Sequence, residues 1–288
     1  MIHSMTGYAA ASAQITGGTL NIELRSVNSR YLDIQFRVAD ELRMLEAGLR
    51  EAISARLSRG KVDCRMSFST TASAPREQAL NLAALGELGK LAAVVRREIP
   101  EAGPLRVADI LRWPGVLAEG TVSESELRDT ATQLGAKALA ELVAARAREG
   151  AKLASVIVER VAAIRKSVAS VAPSVPAAIS AYQEKMAQRL RDAIGTADDE
   201  RIRQEIALFG IKIDVDEELQ RLKTHLDEVE RVVAKGGSAG KRLDFLMQEL
   251  NREANTLGSK AASQSISDCA LELKLLIEQM REQVQNIE

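Results

Sequence analysis

Two acidic segments near the C-terminal end hold the side chains best suited to chemistry. In IKIDVDEELQRLKTHLDEVE, a helix over residues 214–230 would carry Asp214, Glu218, Arg221 and His225 on one face, at steps of four, three and four, with Glu217 adjacent. Leu219, Leu222 and Leu226 fill the neighbouring stripe, so this polar face flanks the core instead of opposing it. In RLDFLMQELNREANTLGSK, Leu243, Leu246 and Leu250 make an apolar stripe. Glu249, Glu253 and Thr256 share the face beside it, and Asn251 and Asn255 lie close by. Carboxylates brought together from two helices, with a histidine nearby, form the hard, oxygen-rich donor set that suits Mg²⁺ or Mn²⁺. Spacing leaves a second reading open, because an i, i+4 acid pair is a weak signal. A solvated helix face laced to Arg221, Lys223, Arg242 and Arg252 explains the same acids and is the commoner case, and a lone His225 is more often a surface or capped histidine than a ligand.

Other chemistries are poorly supplied. No Walker loop, GxGxxG, HExxH, GxSxG or zinc-ligand spacing occurs, which removes most nucleotide-cofactor enzymes and the common hydrolases. His3 and His225 are the only imidazoles for any acid–base pair. Two cysteines, Cys64 and Cys269, make neither a CxxC motif nor a disulfide framework, as expected in a reducing compartment. Lys and Arg (39) nearly balance Asp and Glu (40), so a polyanion must be met by a local patch and not by bulk charge. Arg25, Arg37 and Arg65 are interleaved with Glu23, Asp33 and Asp63, a pattern that cross-strand pairing also explains. The opening MIHSMTGYAAASAQITGG lacks a basic n-region followed by an apolar h-region. Charge breaks every other apolar stretch before about 18 residues, so a soluble, cytoplasmic protein with no membrane partner is expected.

The elements that must position these groups follow from periodicity. Leu20, Ile22 and Leu24 alternate with Asn21, Glu23 and Arg25, and Leu32, Ile34, Phe36 and Val38 alternate with Asp33, Gln35 and Arg37. Both segments predict half-buried strands. Val62, Cys64, Met66 and Phe68 predict a third, and residues 5–15 a weaker one. Between them Leu42, Leu45, Leu49, Ile53 and Leu57 predict a helix capped by Asp40 and stopped by Gly60. Trp113 in RWPGV is expected as a core anchor beside a Pro114–Gly115 loop. Helix is expected from 124 to about 170, a break at Pro173 and Pro176, and helix again over 177–194, together a long hairpin. A GTADD turn at 195–199 would cap the next helix through Asp198 or Asp199. Helix then runs to the end apart from the loop at Gly236, Gly237, Ser238, Ala239 and Gly240. Aromatic residues make up 3% of the chain, which favours helix packing over a sandwich and argues against an aromatic base-stacking platform. The expected class is α+β and mostly helical: an N-terminal domain over 1–122 with a small antiparallel sheet and a helix, a helical hairpin over 123–199, and a helical catalytic region over 200–288.

Several strings resemble the YicC/YloC family of bacterial stress-induced proteins: SMTGY, LRSVNSRYLDI, RGKV, RWPGVL, REG, DVDEELQRLKTHL, GKRLDFLMQELNREANTLGSKA and the closing ELKLLIEQMREQVQNIE. They span the chain from end to end. The family's NHRYLD reads NSRYLD here, with Ser29 in the histidine position, so no histidine role carries over to that point. The resemblance implies a metal-dependent endoribonuclease of structured RNA that assembles as a ring-like homo-oligomer, a hexamer with an open chamber. It favours the carboxylate clusters as the site, with Mn²⁺ or Mg²⁺ held by some of Asp214, Glu217, Glu218, His225, Glu249 and Glu253. The ion would polarise a phosphoryl oxygen and activate a water for in-line attack. On this reading Glu249, Glu253, His225, Arg252 and Asn251 form the catalytic group, with Arg252 and Arg221 neutralising the phosphate and Asn251 orienting RNA or water. Arg25, Asn28, Arg30, Lys61 and Arg221 are the expected RNA contacts. The alternative from a different class is a non-catalytic adaptor that delivers small RNAs to a separate nuclease, its acids holding protomers together. A third is a purely structural helical scaffold.

Overall fold

Alternating side chains put the strands where the pattern asks for them. The computed structural model describes residues 1–16, 18–70, 79–118, 124–194 and 199–288. Strands β1 (Gly7–Ile15), β2 (Gly18–Val27), β3 (Leu32–Val38) and β4 (Gly60–Thr70) form one sheet in the order β1-β2-β4-β3. The pairs β1–β2 and β2–β4 are antiparallel, as expected, but β3 joins β4 in parallel. The cause is the intervening helix: parallel neighbours need a crossover, and residues 39–59 supply one. That crossover is a 3₁₀ turn (Asp40–Leu45) running into helix α1 (Glu46–Arg56). The whole expected stripe is buried, from Ile53 at 0% to Leu49 at 8%, against Leu20, Ile22, Leu24, Val62, Cys64 and Met66.

The caps of that helix differ from expectation. Asp40 is the first residue of the 3₁₀ turn, with Ala39 as N-cap, and its carboxylate pairs with Arg43 at 2.9 Å instead of capping. Gly60 does not end the helix either. Leu57 is already extended, and Gly60 takes φ +113° to enter β4 beside Ser26, a conformation that a side chain would strain. A small lobe follows: β5 (Ala79–Leu80) pairs with β6 (Leu117–Ala118), and helices α2 (Leu82–Glu98), capped by Asn81, and α3 (Val107–Arg112) lie between them. Trp113 is not the core anchor, being 47% exposed. Gly115, at φ +84°, turns the chain so that Val116 is the buried residue of RWPGV.

Helix α4 (Glu124–Val171) has 48 residues and is about 72 Å long at 1.5 Å per residue. Its first half buries Ala131, Leu134, Ala138, Leu139 and Leu142 against the sheet. Its second half buries Ile157, Val161, Ile164, Val168 and Val171 in a separate core. Pro173 sits in the 3₁₀ turn Ala172–Ser174, and α5 (Val175–Ile194) then runs against α6 (Asp199–Ile213). The extended helical partner of α5 is therefore α6, where the pattern suggested α4. The 195–198 part of the expected turn lies outside the described residues. Helices α7 (Asp216–Lys235), α8 (Gly240–Ser259) and α9 (Gln264–Val284) complete the second core, α8 packing between α7 and α9. The loop before α8 is where it was expected, with Gly236 and Gly237 at positive φ.

The two cores meet where the chain's first and last described residues cross the middle of α4. Residue 150 must be glycine there, since a Cβ would lie 2.2 Å from the carbonyl oxygen of Ile2. Arg146, only 1% exposed, donates from Nε to the Ser4 carbonyl at 2.5 Å and from Nη2 to Glu288 Oε2 at 3.0 Å. Glu288 Oε1 accepts from the Ser58 hydroxyl at 2.5 Å and from the backbone N–H groups of Ser58 and Arg59. Burial alone would push the Glu288 carboxyl up, but the Ser58 bonds and the Arg146 charge outweigh it and hold the group below its ordinary 4.5. Arg146→Leu should strand a buried carboxylate and remove about 3 kcal/mol, read as a fall in Tm of roughly 6–12 °C. A folded pKa below the unfolded one means that the charged Glu288 stabilises fully above the ordinary carboxylate range and loses this as pH falls through the folded value. The stability gap between wild type and Glu288→Gln should accordingly be flat near neutrality and close in acid, as measured by urea melts at stepped pH.

Candidate active site

The acidic start of α7 is built around a lysine from the end of α8. Asp214 lies before the helix and not on its face: its Oδ1 accepts the Asp216 N–H at 3.0 Å, which closes the turn from α6 into α7. Glu218, 3% exposed, takes the Lys260 ammonium on Oε1 at 3.0 Å, and the same ammonium donates to the Asp214 carbonyl at 3.0 Å. The other carboxylate oxygen of Glu218 is buried without a partner. Glu217 pairs with Arg221 at 2.7 Å, and Arg221 Nε also stands 3.7 Å from Glu253 Oε2 across the α7–α8 seam. His225, one turn further on, lines a cleft of about 460 Å³ with Asp227, Glu228, Arg231, Arg242 and Phe245. In it Arg231 and then Arg242 hold Glu228 down at about 2.

Helix α8 divides the group that its sequence presents as one. Glu253, 4% exposed, faces α7 and Arg221. Asn251, Arg252 and Asn255 instead line a hollow shared with Arg281 of α9. Glu249 is half-buried. The structure thus brings together Glu217, Arg221 and Glu253, and separately Asp214, Glu218 and Lys260. His225 joins neither set, and His3 lines a different hollow beside Glu288. Among the described residues no group of three or more His, Cys, Asp or Glu side chains is placed to hold a metal ion. The donor set of one protomer therefore does not by itself fit a divalent ion.

The expected phosphate contacts fall on the sheet and its rim. Asn28 and Arg30 line a cleft of about 320 Å³ with Arg59, Lys241, Asp244 and Gln285, where the β2–β3 turn meets the start of α8 and the end of α9. Asn28 Nδ2 donates to the Gln285 carbonyl at 2.6 Å, and Arg59 Nε to the Arg30 carbonyl at 3.2 Å, which set the cleft's two walls. Lys61 and Arg25 lie on the adjoining exposed sheet face, opposite Val27 and Asp63 in register. The Asp63 carboxylate is taken by Arg37 at 3.1 Å. None of Arg25, Arg30, Arg59, Lys61 and Lys241 has a carboxylate partner among the described residues. Sequence reasoning missed Arg59, Lys241 and Lys260. The first two are separated from Arg30 by long stretches of chain, and only the RGKV and GKR strings hinted at them.

A two-core chain with cations at the rim of its sheet and paired carboxylates on facing helices belongs to the YicC-like endoribonuclease family. Residues 2–155 match "Endoribonuclease YicC-like, N-terminal region" and residues 171–288 match "Endoribonuclease YicC-like, C-terminal". Over the full length of both chains it is 39% identical to the probable endoribonuclease YicC of Haemophilus influenzae and 27% identical to that of Clostridioides difficile. The boundary between the two matched regions falls within α4, the helix that serves both cores.

The Glu218–Lys260 pair ties the start of α7 to the end of α8 and can be tested without any assay of activity. Lys260→Met should leave Glu218 buried beside no cation and lower stability by about 2 kcal/mol. The double variant Glu218→Gln, Lys260→Met should recover most of that loss in chemical denaturation. Additive losses would mean that the two side chains do not act as a pair.

Proposed function

We propose that the protein is a divalent-metal-dependent endoribonuclease, using Mn²⁺ or Mg²⁺, that hydrolyses phosphodiester bonds of structured or small RNA in the cytoplasm. The observation that carries the RNA reading is the set of five cations, Arg25, Arg30, Arg59, Lys61 and Lys241, whose side chains have no carboxylate ion-pair partner among the described residues. Grouped cations of this kind attract a phosphate backbone. Family membership directs that surface toward RNA cleavage.

Metal dependence rests on a different argument. The two imidazoles line different hollows, so one protomer offers no pair to shuttle protons at the 2′-hydroxyl and the leaving oxygen. We propose that the ligand set drawn from Asp214, Glu217, Glu218, His225, Glu249 and Glu253 is completed by a neighbouring protomer of a homohexamer. Here the chain's own residues bind and orient. Arg221, exposed beside Glu253, and, from the other flank of α8, Arg252, which has no ion-pair partner among the described residues, neutralise the phosphate charge of the bound strand, while Asn251 orients RNA or water. The adaptor reading also has an observation in its favour: Glu217, Glu218 and Glu253 each already face a cation of this chain, as structural acids do.

Cleavage of a labelled hairpin RNA decides between them. With Mn²⁺ or Mg²⁺ the RNA should be cut internally and EDTA should stop it. Glu249→Gln or Glu253→Gln should lower the rate by about 100-fold or more without changing the assembly seen by light scattering. RNA that is retarded but intact with either ion favours the adaptor, and wild-type rates in both variants overturn the site. Arg30→Gln should weaken RNA binding and lower the salt slope of log K by about one.

A further inference from the structure

The hollow between α8 and α9 is lined by cations and amides. Its volume is about 500 Å³, and it is lined by Gln248, Asn251, Arg252, Asn255, Thr256 and Arg281 above the buried Met247. It has two guanidinium groups, three amides and a hydroxyl, and no carboxylate among its lining residues. Arg252 has no ion-pair partner among the described residues, and Arg281 has only a loose contact of 3.6 Å with Glu278, while its Nε is buried without an acceptor. Arg252 so placed has no anion on it, and Arg281 is met only loosely, so both have donors to spare for a phosphate. The amides are arranged to receive something other than charge. Asn255 Nδ2 donates to Asn251 Oδ1 at 2.7 Å, so the pair is held in one arrangement with the Asn251 amide N–H groups and the Asn255 carbonyl left over. The free donor of Asn251 and the free acceptor of Asn255 are the two kinds of group that a nucleobase edge can pair with. Gln248 is steadied by its bond to Asp244 at 3.0 Å, and Asp244 lines the cationic cleft of the sheet rim. One helical turn of α8 thus runs from that cleft to this hollow.

We propose that this hollow is a nucleotide subsite that seats one unit of a bound RNA strand, its phosphate on Arg252 and Arg281 and its base edge on Asn251 and Asn255. The proposal rests on the RNA reading above and extends it, because it names a second contact region that the strand reaches after crossing the sheet rim. Arg281 and Asn255 are its new members. Both sit outside the carboxylate groups of the α7–α8 seam.

The experiment measures binding of a short unstructured fluorescein-labelled RNA by anisotropy in EDTA, over a series of salt concentrations, for the full-length protein. Arg281→Gln should weaken binding at least fivefold and lower the salt slope by about one, because it removes a phosphate contact. Arg281→Lys should restore the slope. Asn255→Ala should weaken binding about threefold or more with an unchanged slope, since it removes a neutral contact. A purely structural role for Arg281 would lower Tm and leave affinity and slope as in wild type, which overturns the proposal. So does wild-type binding in both Arg281→Gln and Asn255→Ala. If the wild-type protein binds no RNA at low salt, the reading of the sheet rim fails together with this one. If it binds while the two variants are silent, only the subsite fails.

Discussion

The constraint on which this structure depends is the crossing of three chain segments at the middle of α4. The first residues, the last residues and the turn after α1 all converge on Arg146 and Gly150. A guanidinium that is 1% exposed is tolerable only because a backbone carbonyl and a carboxylate meet it, and that carboxylate is in turn held by Ser58 and Arg59. The consequence reaches the cationic cleft at the rim of the sheet. Arg59, whose backbone N–H donates to this clasp's carboxylate, also forms a wall of the cationic cleft through its side-chain bond to the Arg30 carbonyl. The N-terminal sheet and the C-terminal helices therefore present one continuous rim because α4 and its clasp hold them in register, although their hydrophobic cores are separate.

Charge is distributed along that frame in a consistent way. Five acids of α7, Glu217, Glu218, Asp227, Glu228 and Glu230, are covered from within the chain, by Arg221, Lys260, Arg231 and Arg165. Among the described residues Arg25, Arg30, Arg59 and Lys61 of the sheet and its rim, Lys241 at the start of α8 and Arg252 of the α8–α9 hollow have no side-chain ion-pair partner. A chain whose total charge is −1 thereby exposes a positive surface without a positive composition. A separation of this kind favours a polyanion by local field and not by net attraction, so binding should be short-ranged and steeply screened.

Much of the fold was legible in residues that alternate or recur every three to four positions. Burial of Leu42, Leu45, Leu49, Ile53 and Leu57 follows directly from their spacing, as does burial of Leu219, Leu222 and Leu226. What was not legible depended on contacts across the chain. The parallel edge of β3 needed the geometry of the α1 crossover, and the exposure of Trp113 needed the backbone turn at Gly115. Periodicity also misplaced Asp214, because a helical pattern does not reveal where a helix begins, and here the aspartate closes the turn before it. In the site, spacing identified the acids but not their partners. Lys260 is 42 residues from Glu218, and no pattern of period 3.6 joins them.

The division of α8 into two flanks has a further physical meaning. On an isolated helix Glu249, Asn251, Arg252 and Glu253 are four near-consecutive polar residues and appear as a single functional cluster. Packing between α7 and α9 turns them outward in opposite senses, the glutamate at 253 to one seam and the amides to the other. A metal-binding or acid–base role for the first flank and a strand-holding role for the second can then be separated by mutation, since substitutions on opposite seams share no partner and should combine additively. Coupling between them would have to pass through the α8 backbone or through the RNA itself. A helix clamped on both sides resists the first, so strong non-additivity seen only with RNA bound would mean that one strand spans both seams.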